Sequence, residues 1–528
     1  MIRLPQDRTK TLLAIHGWSG VLLGLLLYAV VLTGVVAVFS EEIGHWSSPL
    51  RPASAAPLPS GLSEKLETLA AQVDPVLHEE LFLFPQGGGR IRTFFHHHIP
   101  VDGKSQPQDF GVEFDLHPQT LEVLDRREGF GDDIAARNLA NALSDFLVEL
   151  HVSLHLPFPW GFFVTGILGL AMLVAAVTGL LVHRHLLKEL FTIRRFGEAL
   201  LAKRDMHVIA ATWNLPFAFV LAFTGSFFSF TSSVGIPVMA MVAFGGDQEA
   251  LIETVIGTPP PEDTRPTPLA DLDAMIADTR TRTGAEPVFV SIARYGRADA
   301  RVTTFARPAN GELLSHNLMY DGASGAFLGE KPGLGLVSST GGTLADLMAP
   351  LHFGNFAGLP SKAVWFALGF ASCYVTLTGM LLWTTRRASS RNWRRMTQAV
   401  TWMGYGLPLA LAATPYGYFL GRTAGMVQLE AAMAITFLST ALLAAIATAR
   451  ISDPTRLSRV LTGACGVTLI GLPVIRLLTG GPGWLGAMQA GLTTVPAFDL
   501  VLVSGGLLCA WNAQRKPAVT EYTRKAPA

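Results

Sequence analysis

Residues 16–39 read HGWSGVLLGLLLYAVVLTGVVAVF, and no Lys, Arg, Asp or Glu interrupts the longer run from Thr11 to Ser40. Crossing ~30 Å of hydrocarbon takes ~20 helical residues, so this run is long enough to span a bilayer. Leu150 to His183 and Ala363 to Thr385 are equally free of charged residues. The rest of the chain agrees: of 528 residues, 50% are hydrophobic and 15% charged, against ~25% charged in soluble proteins. With a formal net charge of zero, the composition excludes a disordered chain, a nucleic-acid binder and a secreted disulfide scaffold. Cys373, Cys465 and Cys509 lie in apolar runs without metal-ligand spacing. The sequence predicts an α-helical integral membrane protein whose first partner is the lipid bilayer.

Eight spans are expected, at about 17–39, 161–182, 206–230, 363–383, 399–420, 426–448, 460–478 and 493–511. The first is read as a retained anchor, because its apolar region exceeds that of a signal peptide. Basic clusters precede the first span and follow the second, fourth, sixth and eighth, among them Arg184, Lys188, Arg194 and Arg195, and Arg386, Arg387, Arg391, Arg394 and Arg395. Eight spans put every cluster on one side, which makes that side and both termini cytoplasmic. The other side receives two large loops, the second carrying 14 Asp and Glu against 8 Lys and Arg. Alternation over Phe110–Leu124 and Val288–Phe305, with an Asn310-Gly311 turn, predicts a small α+β module in each loop. The expected organisation is 1–40 (N-terminus and first span), 41–150 (first module), 151–230 (two spans and a basic loop), 231–360 (second module), 361–390 (fourth span) and 391–528 (four further spans).

The histidines carry the chemistry. His16 and His207 stand at the cytoplasmic starts of the first and third spans, and His183 ends the second at the same edge. His151 and His155 lie four apart, on one face if that segment is helical, and His352 precedes the fourth span, all at the outer edge. A neutral imidazole in an apolar bundle still wants partners for both nitrogens. A haem iron takes two axial ligands, which histidines on facing helices can supply. His16 and His207 are matched in depth at the cytoplasmic edge, and His352 is matched with His151 or His155 at the outer edge. Glycines 17, 20, 24, 34, 166, 169, 179, 225, 369 and 379 thin the four helices, for close packing or for a macrocycle.

At these residues the chain resembles the PepSY-associated transmembrane family, the group of iron-regulated inner-membrane proteins and bacterial ferric-siderophore reductases. The matching pieces are residues 16–39, LHVSLHLP at His151 with the helix running to GLLVH at His183, DMHVIAATWNLPFAFVLAFTG at His207, and PLHFGNFAGLP at His352 continuing to LTGMLLWTTRR. The resemblance implies a multi-pass protein of the bacterial inner membrane, with two periplasmic PepSY-type modules inserted in a four-helix core holding two haem b groups. It assigns His16 and His207 to the cytoplasmic haem iron and His151 and His352 to the periplasmic one, with His155 and His183 as further cofactor-binding candidates. The four spans beyond about 399 depart from the family pattern.

The expected function is transmembrane electron transfer that reduces a periplasmic ferric siderophore or other iron complex. No GxGxxG after a strand and no GxxxxGK[ST] occurs, so the electron donor is expected to be quinol or a separate redox protein. The enzyme class implied is a ferric-siderophore reductase. A proton-coupled transporter is the competing account, resting on Asp499, Glu430 and Arg476 in or near spans. A third is an envelope interaction or sensory protein working through its modules. His96, His97 and His98 form a run that alternates faces if extended, so all three cannot ligate one ion without a turn.

Overall fold

The computed structural model describes residues 5–48, 58–84, 90–101, 107–136, 141–182, 199–247, 250–251, 254, 261–308, 312–333 and 338–515. His183, most of the basic loop that follows it, and the Asn310-Gly311 turn lie outside these residues. The first half of the chain forms α1 (Gln6–Leu22), α2 (Gly24–Ala37), α3 (Ser40–Ser47), α4 (Leu62–Ala70), β1 (Glu80–Phe84), β2 (Ile91–Ile99), β3 (Gln108–Leu116), β4 (Val123–Phe130), α5 (Gly131–Ala136), α6 (Ala142–Val152) and α7 (Trp160–Val182). A second series follows: α8 (Ala199–Phe230), α9 (Ile236–Phe244), α10 (Leu272–Thr283), β5 (Pro287–Ala293), β6 (Arg301–Ala306), β7 (His316–Asp321), β8 (Phe327–Lys331), α11 (Thr340–Phe353) and α12 (Leu359–Thr385). The chain closes with α13 (Arg391–Thr423), α14 (Leu429–Arg450), α15 (Pro454–Leu478), α16 (Trp484–Gln489) and α17 (Thr494–Gln514).

Helices occupy all eight expected places. Among the described residues, six are long and apolar enough to cross a membrane: Trp160–Val182, Leu201–Gly235, Leu359–Thr385, Leu429–Arg450, Pro454–Leu478 and Thr494–Gln514. The first expected span is instead a pair, α1 and α2, bent by 67°. The break falls at Leu23 between Gly20 and Gly24, where missing side chains leave the backbone free to kink. Helix α13 is long enough at 33 residues but less apolar than the six. Pro408 and Pro415 lie within it, and Leu407, Ala410, Thr414, Tyr418 and Phe419 are buried, so much of its surface meets protein.

The two expected modules are continuous with one another. β1–β4 and β5–β8 make one antiparallel sheet of order β4-β3-β2-β1-β5-β6-β7-β8. Its two halves join where Leu81 faces Ile292 and Leu83 faces Val290. Alternation assigns the faces: Leu81, Leu83, Phe95, Phe114, Val290, Ile292 and Val302 pack with Leu62, Leu66 and Leu69 of α4 and Leu272, Met275 and Ile276 of α10 in one core. Helices α4 and α10 cap each other. Asp273 accepts from the Leu62 and Ser63 backbone N–H groups at 3.2 and 3.0 Å, and the Ser63 hydroxyl accepts from the Leu272 N–H at 2.9 Å. Each capped N–H would otherwise lack an intrahelical partner.

The C-terminal helices dock through an ion pair. Arg476 Nη2 donates to Asp499 at 2.7 Å, and both residues are buried. Asp499 also accepts from the indole N–H groups of Trp46 at 2.7 Å and Trp484 at 2.8 Å, while Arg476 donates to the Pro482 carbonyl at 2.9 Å. Four elements, α3, α15, α16 and α17, meet on this carboxylate. Such a pair is satisfied as a unit, and removing one member leaves an uncompensated charge. Asp499→Asn is therefore expected to destabilise the protein by about 3–5 kcal/mol, read as a lowered Tm of the purified protein, while the apolar double variant R476M/D499L loses less.

Candidate functional site

Four of the six candidate histidines share one local device. His16, on α1, places Nδ1 2.9 Å from the Ala175 carbonyl and 3.3 Å from the Thr178 hydroxyl on α7. His151, in the last turn of α6, places Nδ1 2.9 Å from the Val30 carbonyl on α2. His207, on α8, reaches the Thr378 hydroxyl of α12 at 3.0 Å, and His352, in the last turn of α11, reaches the Thr224 hydroxyl of α8 at 2.8 Å. Each ring also lies over a glycine that follows the threonine of the receiving helix. A Cβ would stand 2.8 Å from the His151 ring at Gly34, 3.2 Å from His16 at Gly179, 3.1 Å from His352 at Gly225 and 3.1 Å from His207 at Gly379.

The repeated unit is a Thr-Gly step: Thr33-Gly34, Thr178-Gly179, Thr224-Gly225 and Thr378-Gly379. Glycine admits the ring, and threonine orders the acceptor beside it. Thr224 donates to the Val220 carbonyl at 2.7 Å and Thr378 to the Tyr374 carbonyl at 2.7 Å, so these hydroxyls have spent their proton and accept from imidazole. With Nδ1 as the donor in all four rings, Nε2 carries the lone pair, the tautomer a metal-bound histidine needs. Sequence reading found the histidines but missed these partners. The legible signal was the spacing: Thr33 follows His16 by 17 residues, and Thr224 follows His207 by the same 17.

The structure brings His151 and His352 together. Their ring centres are 6.2 Å apart with planes at 25°, too far for face-to-face stacking. Two imidazoles bonded through one nitrogen each to a shared metal ion at ~2 Å hold their ring centres roughly 6 Å apart. Phe228 and Phe353 flank His352 with ring centres at 5.7 Å. His16 and His207 lie within electrostatic reach of each other. The Thr-Gly step that receives His207 is on α12, and the one that receives His352 is on α8, so the two levels are about 25 Å apart along α8. Between them, Asn214 of α8 donates to the Ser372 hydroxyl of α12 at 2.6 Å.

His155 does not join the outer pair. Helix α6 ends at Val152, and Leu154 and His155 adopt left-handed backbone conformations with φ of 55° and 54°, so the shared helix face that would align His155 with His151 is not formed. Its Nε2 bonds the Phe146 carbonyl at 3.0 Å and its Nδ1 lies 3.7 Å from Glu430 of α14. His183 lies outside the described residues. The other glycines serve ordinary packing: a Cβ at Gly17 would collide with Trp383, at Gly24 with Met380, at Gly169 with Ser226 and at Gly369 with Val35, whereas Gly20 faces open space.

The family profile of the PepSY-associated TM region matches residues 13–386, which takes in all four Thr-Gly steps and their histidines. A protein of Pseudomonas aeruginosa, named only as uncharacterized, is 28% identical over 286 residues, 51% of this chain and 70% of that one.

The glycine contacts predict a contrast. Gly34→Ala sets a methyl against the His151 ring and is expected to destabilise by about 1–3 kcal/mol through overpacking, less the ~1 kcal/mol that alanine gains over glycine within a helix. Gly20→Ala meets nothing and keeps that gain. Thermal unfolding of the two purified variants, with Tm moving down for the first and up or nowhere for the second, checks the cradle.

Proposed function

The chain belongs to the PepSY-associated TM-region family, and on that premise we propose that it is a haem-carrying electron-transfer protein of the bacterial inner membrane. In this reading the polypeptide crosses the membrane eight times, counting the bent α1–α2 pair and α13, with both termini in the cytoplasm. The sheet then stands in the periplasm as two PepSY-type halves. His16 with His207, and His151 with His352, would each hold one of two haem b groups. The observation that carries the reading is the outer pair, whose near-parallel rings are 6.2 Å apart with both Nδ1 atoms already engaged. That donor set fits the group.

When bound, haem b supplies one-electron redox chemistry at each pair, linking quinol or a separate redox protein inside to a ferric siderophore or related iron complex outside. The chain's own part is to hold geometry. Carbonyl and threonine acceptors fix each imidazole's tautomer and orientation and raise its basicity as a ligand. Apolar helices around the rings limit water and so tune potential. Reducing the external complex makes sense as a release step, because hard anionic oxygen ligands hold iron(III) more strongly than iron(II). The ionisable pair that favoured a transporter, Asp499 with Arg476, is engaged by Trp46, Trp484 and Pro482 in the docking of α15, α16 and α17, which leaves that account without its main support.

Purified protein is expected to show reduced b-type absorbance with two haems per chain. His151→Ala or His352→Ala removes one, and His16→Ala or His207→Ala removes the other, each variant retaining about half the haem. His155→Ala keeps both. Well-folded protein with no haem would overturn the proposal.

A further inference from the structure

A second group of imidazoles lies in the sheet, away from the helical core. His96 and His98 are two apart on β2, so their side chains emerge on the same face, the one opposite α4 and α10. Glu80 of β1 is the cross-strand partner of His96. His96 Nε2 is 3.6 Å from Glu80 Oε2 and His98 Nε2 is 3.9 Å from the same oxygen. One ligand atom from each of the three residues lies within 4.8 Å of the other two. His97 emerges on the other face and takes no part.

The surroundings orient each donor. His96 Nδ1 is 3.3 Å from the Phe94 carbonyl, and His98 Nδ1 is 3.3 Å from Glu79 Oε1. Both acceptors draw the ring proton to Nδ1 and leave a lone pair on Nε2, the arrangement second-shell groups impose on metal-bound histidines. Glu80 Oε1 accepts from the Ser291 hydroxyl at 3.0 Å, which turns Oε2 toward the rings. His96 is fully buried, stacked on Phe94 with ring centres 4.6 Å apart, and its Nε2 has no hydrogen-bond partner among the described residues. A buried lone pair facing a carboxylate is unfavourable unless a proton or a metal ion stands between them.

We propose that Glu80, His96 and His98 bind a divalent first-row transition-metal ion. Two imidazoles and a carboxylate suit zinc and ferrous iron alike. Donor atoms around such an ion are roughly 3–3.5 Å apart at ~2.1 Å bond lengths, so closure asks for a small inward turn of the exposed His98. Asp109, across from His98 on β3 and with Oδ1 3.5 Å from its Nε2, stands where a fourth ligand would come from. Opposite His96 the strand carries Gly111, where a Cβ would lie 2.7 Å from the His96 Cβ. This site stands whether or not the helical core holds haem.

Zinc alone is the probe. Full-length protein, stripped with chelator and equilibrated with zinc, is expected to retain an ion that His98→Ala and Glu80→Gln bind at least tenfold more weakly, while His97→Ala matches the parent. Zinc is likewise expected to raise the Tm of the parent and of His97→Ala but not of His98→Ala, and haem content is to be unchanged across the set. His98 is exposed, so its variant tests the site without a loss of fold. Equal zinc retention by parent, His98→Ala and Glu80→Gln, or no zinc effect on the parent's Tm, would overturn the proposal and assign a shared proton to Glu80 and His96 instead.

Discussion

An imidazole buried among apolar helices has one nitrogen that must give a hydrogen and one that must receive something, and the membrane half of this protein is arranged around that requirement. Four times, a neighbouring helix meets the donor side with a carbonyl or a threonine hydroxyl and gives the ring room by carrying glycine next to it. Take away the acceptor and the tautomer is no longer set; take away the glycine and the helices cannot approach. The remaining nitrogen is thereby aimed, and two rings, His151 and His352, end up at a separation that one metal ion can bridge.

The same solution is used twice because the chain runs through the same series twice. A helical stretch that carries histidine and, 17 residues on, Thr-Gly leads into shorter helices, four strands and a helix with histidine in its last turn, and then into another long helix with its own Thr-Gly. His16 and His151 belong to the first series, His207 and His352 to the second, so each pair draws one ring from each. The sheet obeys the same relation, with β1 and β5 meeting at its centre and α4 and α10 capping one another.

Much of this was legible in the sequence. Uninterrupted apolar runs located the long helices, since in lipid a backbone has few ways to satisfy itself, although α1, α8, α13 and α15 begin 6 to 11 residues before the expected spans. The histidines were legible because they stand at the ends of those runs. Three things were not. The 67° bend at Leu23 has no charge or proline to announce it, only Gly20 and Gly24 in a run dense with glycine. The separation of His155 from His151 depends on two consecutive left-handed residues, Leu154 and His155, a conformation uncommon outside glycine. The joining of the two strand groups rests on an edge-to-edge pairing between segments some 200 residues apart, which no local alternation can reveal. Asp499, read as a possible path for protons, is a docking point because Trp46, distant in sequence, converges on it with Trp484 and Arg476.

The β1–β5 ladder acts as a spacer set outside the helices. Each strand group is tethered at both ends to its own helix pair, so the central rungs from Leu81–Ile292 to Leu83–Val290 tie the two pairs together. The two pairs also pack directly on each other, α7 on α8 and α2 on α12, so the seam in the sheet is a second link between the same halves.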